Sequence, residues 1–345
     1  MDVLVILDGA SEPLGEDPTS LERARTPVLD GLAAEGSVIR LRTVAPGLPA
    51  GSETAIPALL GWVPDGPVDR AAIEAAAHDI EVGHDERAWR VDRRDRADAS
   101  ATARILAGRL NGRHGVPAHR VHHLTGHRML IVGPDHAPTL GRELLGIELS
   151  AGLLGTELLV WPEGGVPPRI LSEDTVAIGA PGAAIGIARL MGARTVVPPG
   201  ATGRLGTDLA GKATAALAAI DAGAASVVVH VGAPDEAAHE LDADAKVAAI
   251  EAVDAQLLAP LADALRARRS RLGAETATLH VCPDHGCDPA TGRHDGAPVP
   301  CLRWPFAGAS GERLTERAVA GRSVTALASI TPAGPARRRA RAVIA

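Results

Sequence analysis

Residues 3–7 read VLVIL, five aliphatic residues in a row with no polar alternation, and the run stops at Asp8-Gly9. Such a run is a strand buried on both faces, which requires covering helices above and below it. The rest of the chain supplies them. Strand-like runs at 128–132 (RMLIV), 157–161 (ELLVW), 226–231 (SVVVHV) and 278–282 (TLHVC) alternate with stretches of helical periodicity. From about 242 to 268, Val247, Ile250, Val253, Leu257, Leu261 and Leu265 recur at three- and four-residue steps, the pattern of one long amphipathic helix. A shorter helix is expected from about Thr26 to Glu35, with Pro27 in its first turn and Gly36 just past its end. Hydrophobic residues make up 46% of the chain, yet it has one Phe and no Tyr, so the core must be aliphatic. These patterns predict an α/β fold, a doubly wound, mostly parallel sheet.

At 345 residues the chain exceeds a typical single domain. Its character changes from about 65 to 125, and 84–105 is dense in charge and poor in apolar pattern. The expected organisation is a core of 1–64 and 178–345, with a smaller α/β cap inserted at 65–177. A net charge of −7 argues against a nucleic-acid partner. No stretch approaches the roughly 18 apolar residues of a membrane helix, and the first residues lack a basic leader pattern. A cytoplasmic protein with no membrane partner is the expectation. Cys282 and Cys287 have the spacing of a zinc half-site, but Cys301 alone makes a poor second half. The thiols are therefore read as bystanders.

Chemistry gathers elsewhere. Asp8 follows the first strand, Asp235 and His239 follow the strand at 226–231, and Asp284-His285 follow TLHVC. In a parallel sheet, ligands sit beyond the carboxyl ends of the strands, so these side chains would meet at one edge. His294, nine residues after His285 across a Gly/Pro loop, can return to the same place. Three aspartates and three histidines exceed the four ligands one zinc ion takes. Two divalent ions are the better count, and oxygen and nitrogen donors admit Mn²⁺, Zn²⁺, Mg²⁺ or Co²⁺. Ser52, in PAGSETA, sits in a Gly-flanked turn before an apolar helix, where its hydroxyl can face an anion or cap the helix.

Asp8-Gly9, TPVLDGLAAEG (26–36) and PAGSETA (49–55) resemble the N-terminal half of the archaeal-type, cofactor-independent phosphoglycerate mutases, members of the alkaline phosphatase superfamily. VHVGAPDEAAH (229–239), KVAAIEAVD (246–254), CPDHG (282–286) and RHDGAPVP (293–300) resemble their C-terminal half. The resemblance implies an alkaline-phosphatase-like core with an inserted cap. It also implies one metal at Asp8, Ser52, Asp284 and His285, and a second at Asp235, His239 and His294, with Mn²⁺ or Zn²⁺ foremost. Ser52 would take the phosphoryl group of a small phosphorylated carboxylate and return it to another hydroxyl, interconverting 3- and 2-phosphoglycerate without 2,3-bisphosphoglycerate.

Such a substrate needs cations, and Arg70, Arg90, Arg104, Arg128 and Lys212 are the candidates. Here the pattern thins. Asp92 stands in ERAWRVD where Asn is usual in the family, and VDRAAIEAA (68–76) keeps an Arg and a Glu but loses two glycines and a proline. A phosphatase, a homoserine-kinase-like transferase or a phosphonate-pathway enzyme with the same metal–serine chemistry is the alternative. A catalytically dead scaffold is a more distant one.

Overall fold

The computed structural model describes residues 1–110, 119–134, 158–273, 277–306 and 311–325. Three sequence features lie outside them: the Asp135-His136 pair that follows the apolar run at 128–132, the stretch GRELLGIELSAGLLG at 141–155 and the basic stretch PARRRARAVIA at 335–345. The chain divides into two compact units, Met1–Gly66 with Pro167–Ala345, and Pro67–Val166.

The main sheet of the larger unit has eight strands among the described residues. They are β1 (Asp2–Leu7), β2 (Ser37–Leu41), β7 (Thr175–Ile178), β8 (Arg194–Val196), β9 (Ser226–Val231), β10 (Thr278–Cys282), β13 (Val299–Trp304) and β14 (Val324–Thr325). The sheet order is β14-β2-β13-β10-β1-β9-β7-β8. β1 lies parallel between β9 and β10, with Leu7 opposite Val231 and Ile6 opposite Cys282. β13 alone runs against its neighbours β10 and β2. The aliphatic run at 3–7 is the centre of the sheet, as its lack of alternation requires. Val3, Val5 and Leu7 pack on one face with Leu29, Leu32, Ile250, Leu257 and Leu261, while Leu4 and Ile6 are equally buried on the other.

The long helix expected at 242–268 is three pieces. Ala243–Val253 and Ala259–Leu272 are α-helical, and Asp254–Leu258 between them has π geometry. Pro260 lacks the N–H that an unbroken α-helix would use there. The wider turn keeps Val253, Leu257, Leu261 and Leu265 on the buried face at four-residue steps. It also presents Asp254, whose carboxylate accepts the N–H groups of Val28 and Leu29 at 3.0 and 2.8 Å. That carboxylate caps the helix Pro27–Ala34 from outside, because Thr26 makes no side-chain cap bond.

The smaller unit is an antiparallel sheet of order β4-β5-β3-β6, formed by β3 (Glu86–Arg93), β4 (Arg120–Thr125), β5 (Arg128–Pro134) and β6 (Leu158–Val160). The helix Ser100–Leu110 covers one face through Ala103 and Leu106 against Trp89, Val91 and Ile131. The helix Arg70–Ala77 covers the other through Ala71 and Ala75 against Leu130 and Val132. The two ends of the unit are stitched together: Gly165 N–H donates to Pro67 O at 2.8 Å, and Asp69 N–H donates to Gly165 O at 3.0 Å. Its C-terminal boundary falls earlier than the expected 177. Leu171 N–H bonds Met191 O, and β7 already pairs with β9, so this stretch belongs to the larger sheet. Among the described residues, no helix is long and apolar enough to cross a membrane.

Candidate metal centre

Three adjacent parallel strands end at one level, and each continues into polar side chains. Asp8 follows β1 directly, and its N–H is held by Val231 O at 3.0 Å. Gly9 then turns at φ +59°, and its N–H donates to Asp284 Oδ1 at 3.1 Å. A Cβ at Gly9 would collide with the Asp235 side chain, so glycine is required both for the turn and for the close approach. The helix Ala233–His239 after β9 carries Asp235 and His239 one turn apart, with Oδ2 and Nε2 at 3.3 Å. After β10 the chain turns at Asp284-His285 into a two-stranded ribbon, β11 (Gly286–Asp288) with β12 (Arg293–Asp295). That ribbon brings His294 back, its Nε2 lying 3.4 Å from Asp235 Oδ1 and 2.9 Å from His239 Nε2.

Ser52 is the first residue of the helix Ser52–Leu59, with Gly51 at the cap position. Its hydroxyl caps nothing. It donates to Asp8 Oδ1 at 3.3 Å and lies 3.4 Å from His285 Nε2. His285 Nε2 is also 3.3 Å from Asp8 Oδ1. Asp8, Ser52, Asp235, His239, Asp284, His285 and His294 therefore come together. Asp8, Asp235 and His285 form one group whose donor atoms lie within 4.8 Å of one another, and Asp235, His239, Cys287 and His294 form another. Asp235 belongs to both.

The chemistry of these donors fits divalent cations. His285 Nδ1 lies 3.1 Å from Gly286 O and His294 Nδ1 lies 3.0 Å from Ala50 O. With those N–H groups donated to carbonyls, each ring aims Nε2 at the carboxylates, the arrangement of a metal-ligating imidazole. Asp284 Oδ2 is buried without a hydrogen-bond partner. Burial, then the charge of Asp8, pushes the Asp284 carboxyl up to about 6. Burial works to lower His285, but the carboxylates of Asp284 and Asp8 outweigh it and lift the ring well above its usual value. Burial and the Asp235 charge work to raise Asp8, and hydrogen bonds from His230 and His285 hold it well below the usual range. The cluster thus concentrates negative charge and draws protons onto its rings, and a divalent cation supplies the same compensation.

Three residues here escape a reading by strand ends. His230, inside β9, holds Asp8 Oδ2 at 3.1 Å through Nε2; the only sign was a polar residue within an aliphatic strand. Lys246 is fully buried and donates to Ser11 O, Glu12 Oε2 and Cys287 O at 3.1, 2.9 and 2.6 Å. Cys287 stands among the second group of donors, where burial and Asp235 push its thiol far above the ordinary range.

The cationic candidates divide. In the smaller unit, Arg90 is 2% exposed and grips Asp92 with two bonds, Nε to Oδ1 at 3.0 Å and Nη2 to Oδ2 at 2.9 Å, while Nη1 reaches Glu74 at 2.5 Å. Arg70 also bonds Glu74, at 3.2 Å. Burial works to raise the Glu74 carboxyl, and the charges of Arg90, Arg70 and Arg128 hold it low. Trp161 lies under Arg70 and Arg90 and donates to Asp92. Arg104 is not with them: it is exposed on the helix Ser100–Leu110, which covers the other face of that sheet. In the larger unit, Lys212 is fully buried and donates to His230 O at 3.1 Å.

Residues 2–332 match the metalloenzyme superfamily, a span that includes the whole Asp/His cluster. The 2,3-bisphosphoglycerate-independent phosphoglycerate mutase of Methanosarcina barkeri is 29% identical, over 82% of this chain and 84% of the relative. A probable enzyme of the same name from Geobacter sulfurreducens is 30% identical, over 93% and 94%. Among solved structures, a Pyrococcus horikoshii protein has the same fold at a TM-score of 0.73 and 23% identity, covering 92% of this chain and 91% of that one. The cofactor-independent phosphoglycerate mutase of Thermoplasma acidophilum shares the fold at a TM-score of 0.54 and 19% identity, over 94% and 95%. The chain belongs to the metalloenzyme superfamily and, within it, to the family of 2,3-bisphosphoglycerate-independent phosphoglycerate mutases.

Proposed function

We propose that this chain interconverts 3-phosphoglycerate and 2-phosphoglycerate through a phosphoserine at Ser52. One observation carries the reading: the Ser52 hydroxyl opens a helix and faces Asp8 and His285 instead of capping. Asp8, Ser52, Asp284 and His285 would hold one divalent ion and Asp235, His239 and His294 the other, Mn²⁺ or Zn²⁺ foremost. Bound there, the ions would polarise the phosphoryl oxygens and lower the pKa of the Ser52 hydroxyl.

The chain's own groups then have defined tasks. Ser52 Oγ–H donates to Asp8 Oδ1 at 3.3 Å and Oγ lies 3.4 Å from His285 Nε2, so the two side chains orient the hydroxyl for attack. Oγ attacks phosphorus, the ester bond to glycerate breaks, and the phosphoryl group rests on Ser52. The other hydroxyl of the same glycerate attacks in turn and regenerates the serine. Because the group is parked on the chain, no 2,3-bisphosphoglycerate is needed. The backbone around Gly9 and the ribbon β11–β12 keep the acceptors of both halves of the cluster in register.

A second reading, the same chemistry on another phosphorylated substrate, is favoured by one feature. Arg90 is bound by Glu74 and Asp92, which leaves it less charge to offer a substrate carboxylate. Phosphorus NMR of Mn²⁺-loaded protein with 3-phosphoglycerate separates the two. Appearance of 2-phosphoglycerate without inorganic phosphate supports the mutase, and release of phosphate alone, or no turnover, refutes it.

A further inference from the structure

The phosphoryl chemistry above uses no thiol, yet one of the three cysteines is not a core residue of the large sheet. Cys287 lies in β11 directly opposite His294 in β12, so the two side chains leave the ribbon on the same face. Its Sγ lies within 4.8 Å of donor atoms of Asp235, His239 and His294. Its main chain is fixed on both sides. The N–H donates to Ser11 O at 2.8 Å, and the carbonyl accepts from the buried Lys246 ammonium at 2.6 Å. Lys246 also holds Ser11 O, so the loop after β1 and the ribbon are clamped at this residue. The thiol is wholly shielded from solvent. Beside it, Asp235 Oδ1 is buried without a hydrogen-bond partner.

One carboxylate, two imidazoles and one thiol make four donors, the number and the types a tetrahedral zinc ion takes. Oxygen and nitrogen donors alone admit several hard or borderline ions, whereas a thiolate selects for softer ones. We propose that Cys287 is the fourth protein ligand of the ion held by Asp235, His239 and His294, and that its sulfur makes this position selective for Zn²⁺ over Mn²⁺. The step balances simply: the S–H bond breaks, a sulfur–metal bond forms, and one proton passes to solvent. The other group, Asp8, Ser52, Asp284 and His285, contains no sulfur and keeps the broader tolerance, so the two positions differ in metal preference. This inference rests on the reading of these side chains as metal ligands.

Cobalt substitution tests it without reference to turnover. The full chain is stripped with chelator, reloaded with two equivalents of Co²⁺ and examined by absorption. The expected result is a strong near-ultraviolet thiolate-to-cobalt band that Cys287→Ser abolishes and Cys282→Ser and Cys301→Ser leave in place. In competition, Cys287→Ser is expected to weaken Zn²⁺ at least tenfold more than Mn²⁺. Visible cobalt bands with no thiolate band in the unaltered chain would overturn the proposal and leave the oxygen–nitrogen metal reading standing. A thiolate band that survives Cys287→Ser would overturn it as well. Failure to bind cobalt at all would sink both readings together. The spectrum of the unaltered chain decides the matter even where a variant fails to fold.

Discussion

Replacing Lys246 with Met removes a buried cation from the point where three segments meet. The ammonium donates to Ser11 O, Glu12 Oε2 and Cys287 O, and the side chain has no solvent exposure. Breaking a buried ion pair from one side costs about 3–5 kcal/mol, because the partner charge stays behind. The surroundings decide where in that range this case falls. Glu12 keeps two other donors, Ser20 N–H at 2.7 Å and Ser20 Oγ–H at 2.9 Å, and Ser11 O keeps the Cys287 N–H. The low end, about 3 kcal/mol, is therefore expected. Urea titrations of metal-free protein measure it, with Lys246→Met, Glu12→Gln and the double variant forming a cycle. The charge pair predicts that Lys246→Met costs at least ~1 kcal/mol less in the Glu12→Gln background. A total loss below ~1 kcal/mol, or a coupling of zero, would refute the argument that this cation ties the loop to the ribbon.

Other expectations follow from single contacts. Ser52→Ala is expected to abolish formation of a phosphorylated chain in mass spectra after incubation with substrate. It should shift stability by less than ~0.5 kcal/mol, because the hydroxyl caps no helix. Gly9→Ala places a methyl against Asp235 at a positive φ, which costs about 1–2 kcal/mol in the backbone alone. Metal content after dialysis should fall by at least one ion per chain, and full occupancy would contradict the steric argument. Burial lowers Lys212 from 10.5 to about 8. Between those values the unfolded chain binds the extra proton, so stability rises with pH across that window and is lost as pH falls through 8. The full span is about 3 kcal/mol. Urea midpoints from pH 7 to 10 should show the rise, and Lys212→Met should flatten it; an equal slope in both would exclude Lys212 as its source.

What could be read from the linear chain was what depends on local pattern. Val3–Leu7 announces a central strand because it has no polar side to expose. Asp8, Asp235, His239, Asp284 and His285 announce themselves because each stands just past an aliphatic run. Hidden features depend on partners far away in sequence. Lys246 occupies an ordinary polar position on an amphipathic helix until Ser11 and Cys287 close around it. Asp254 gives no hint that it caps a helix more than two hundred residues earlier. In the inserted unit, Arg90 reads in the sequence as a cation for the substrate, within a stretch, 84–105, that shows mainly its density of charge. Arg90 and Asp92 are instead buried against Glu74 and Trp161, where paired charges replace hydrophobic contact. Cys287 looked idle because a cysteine five residues from another invites comparison with that other, while its structural neighbour is His294, across the ribbon.

The stitch between Pro67 and Gly165 bears on engineering. All eight described strands of the larger sheet come from outside Pro67–Val166, and the inserted unit enters and leaves through two chain segments bonded to each other. A segment with adjoining ends behaves as a cassette. Closing the gap with a short loop adds little entropy, since that term grows only with the logarithm of loop length. The cassette can therefore be exchanged between relatives without touching the central sheet, and a chimaera carrying a relative's inserted unit is expected to fold that sheet unchanged.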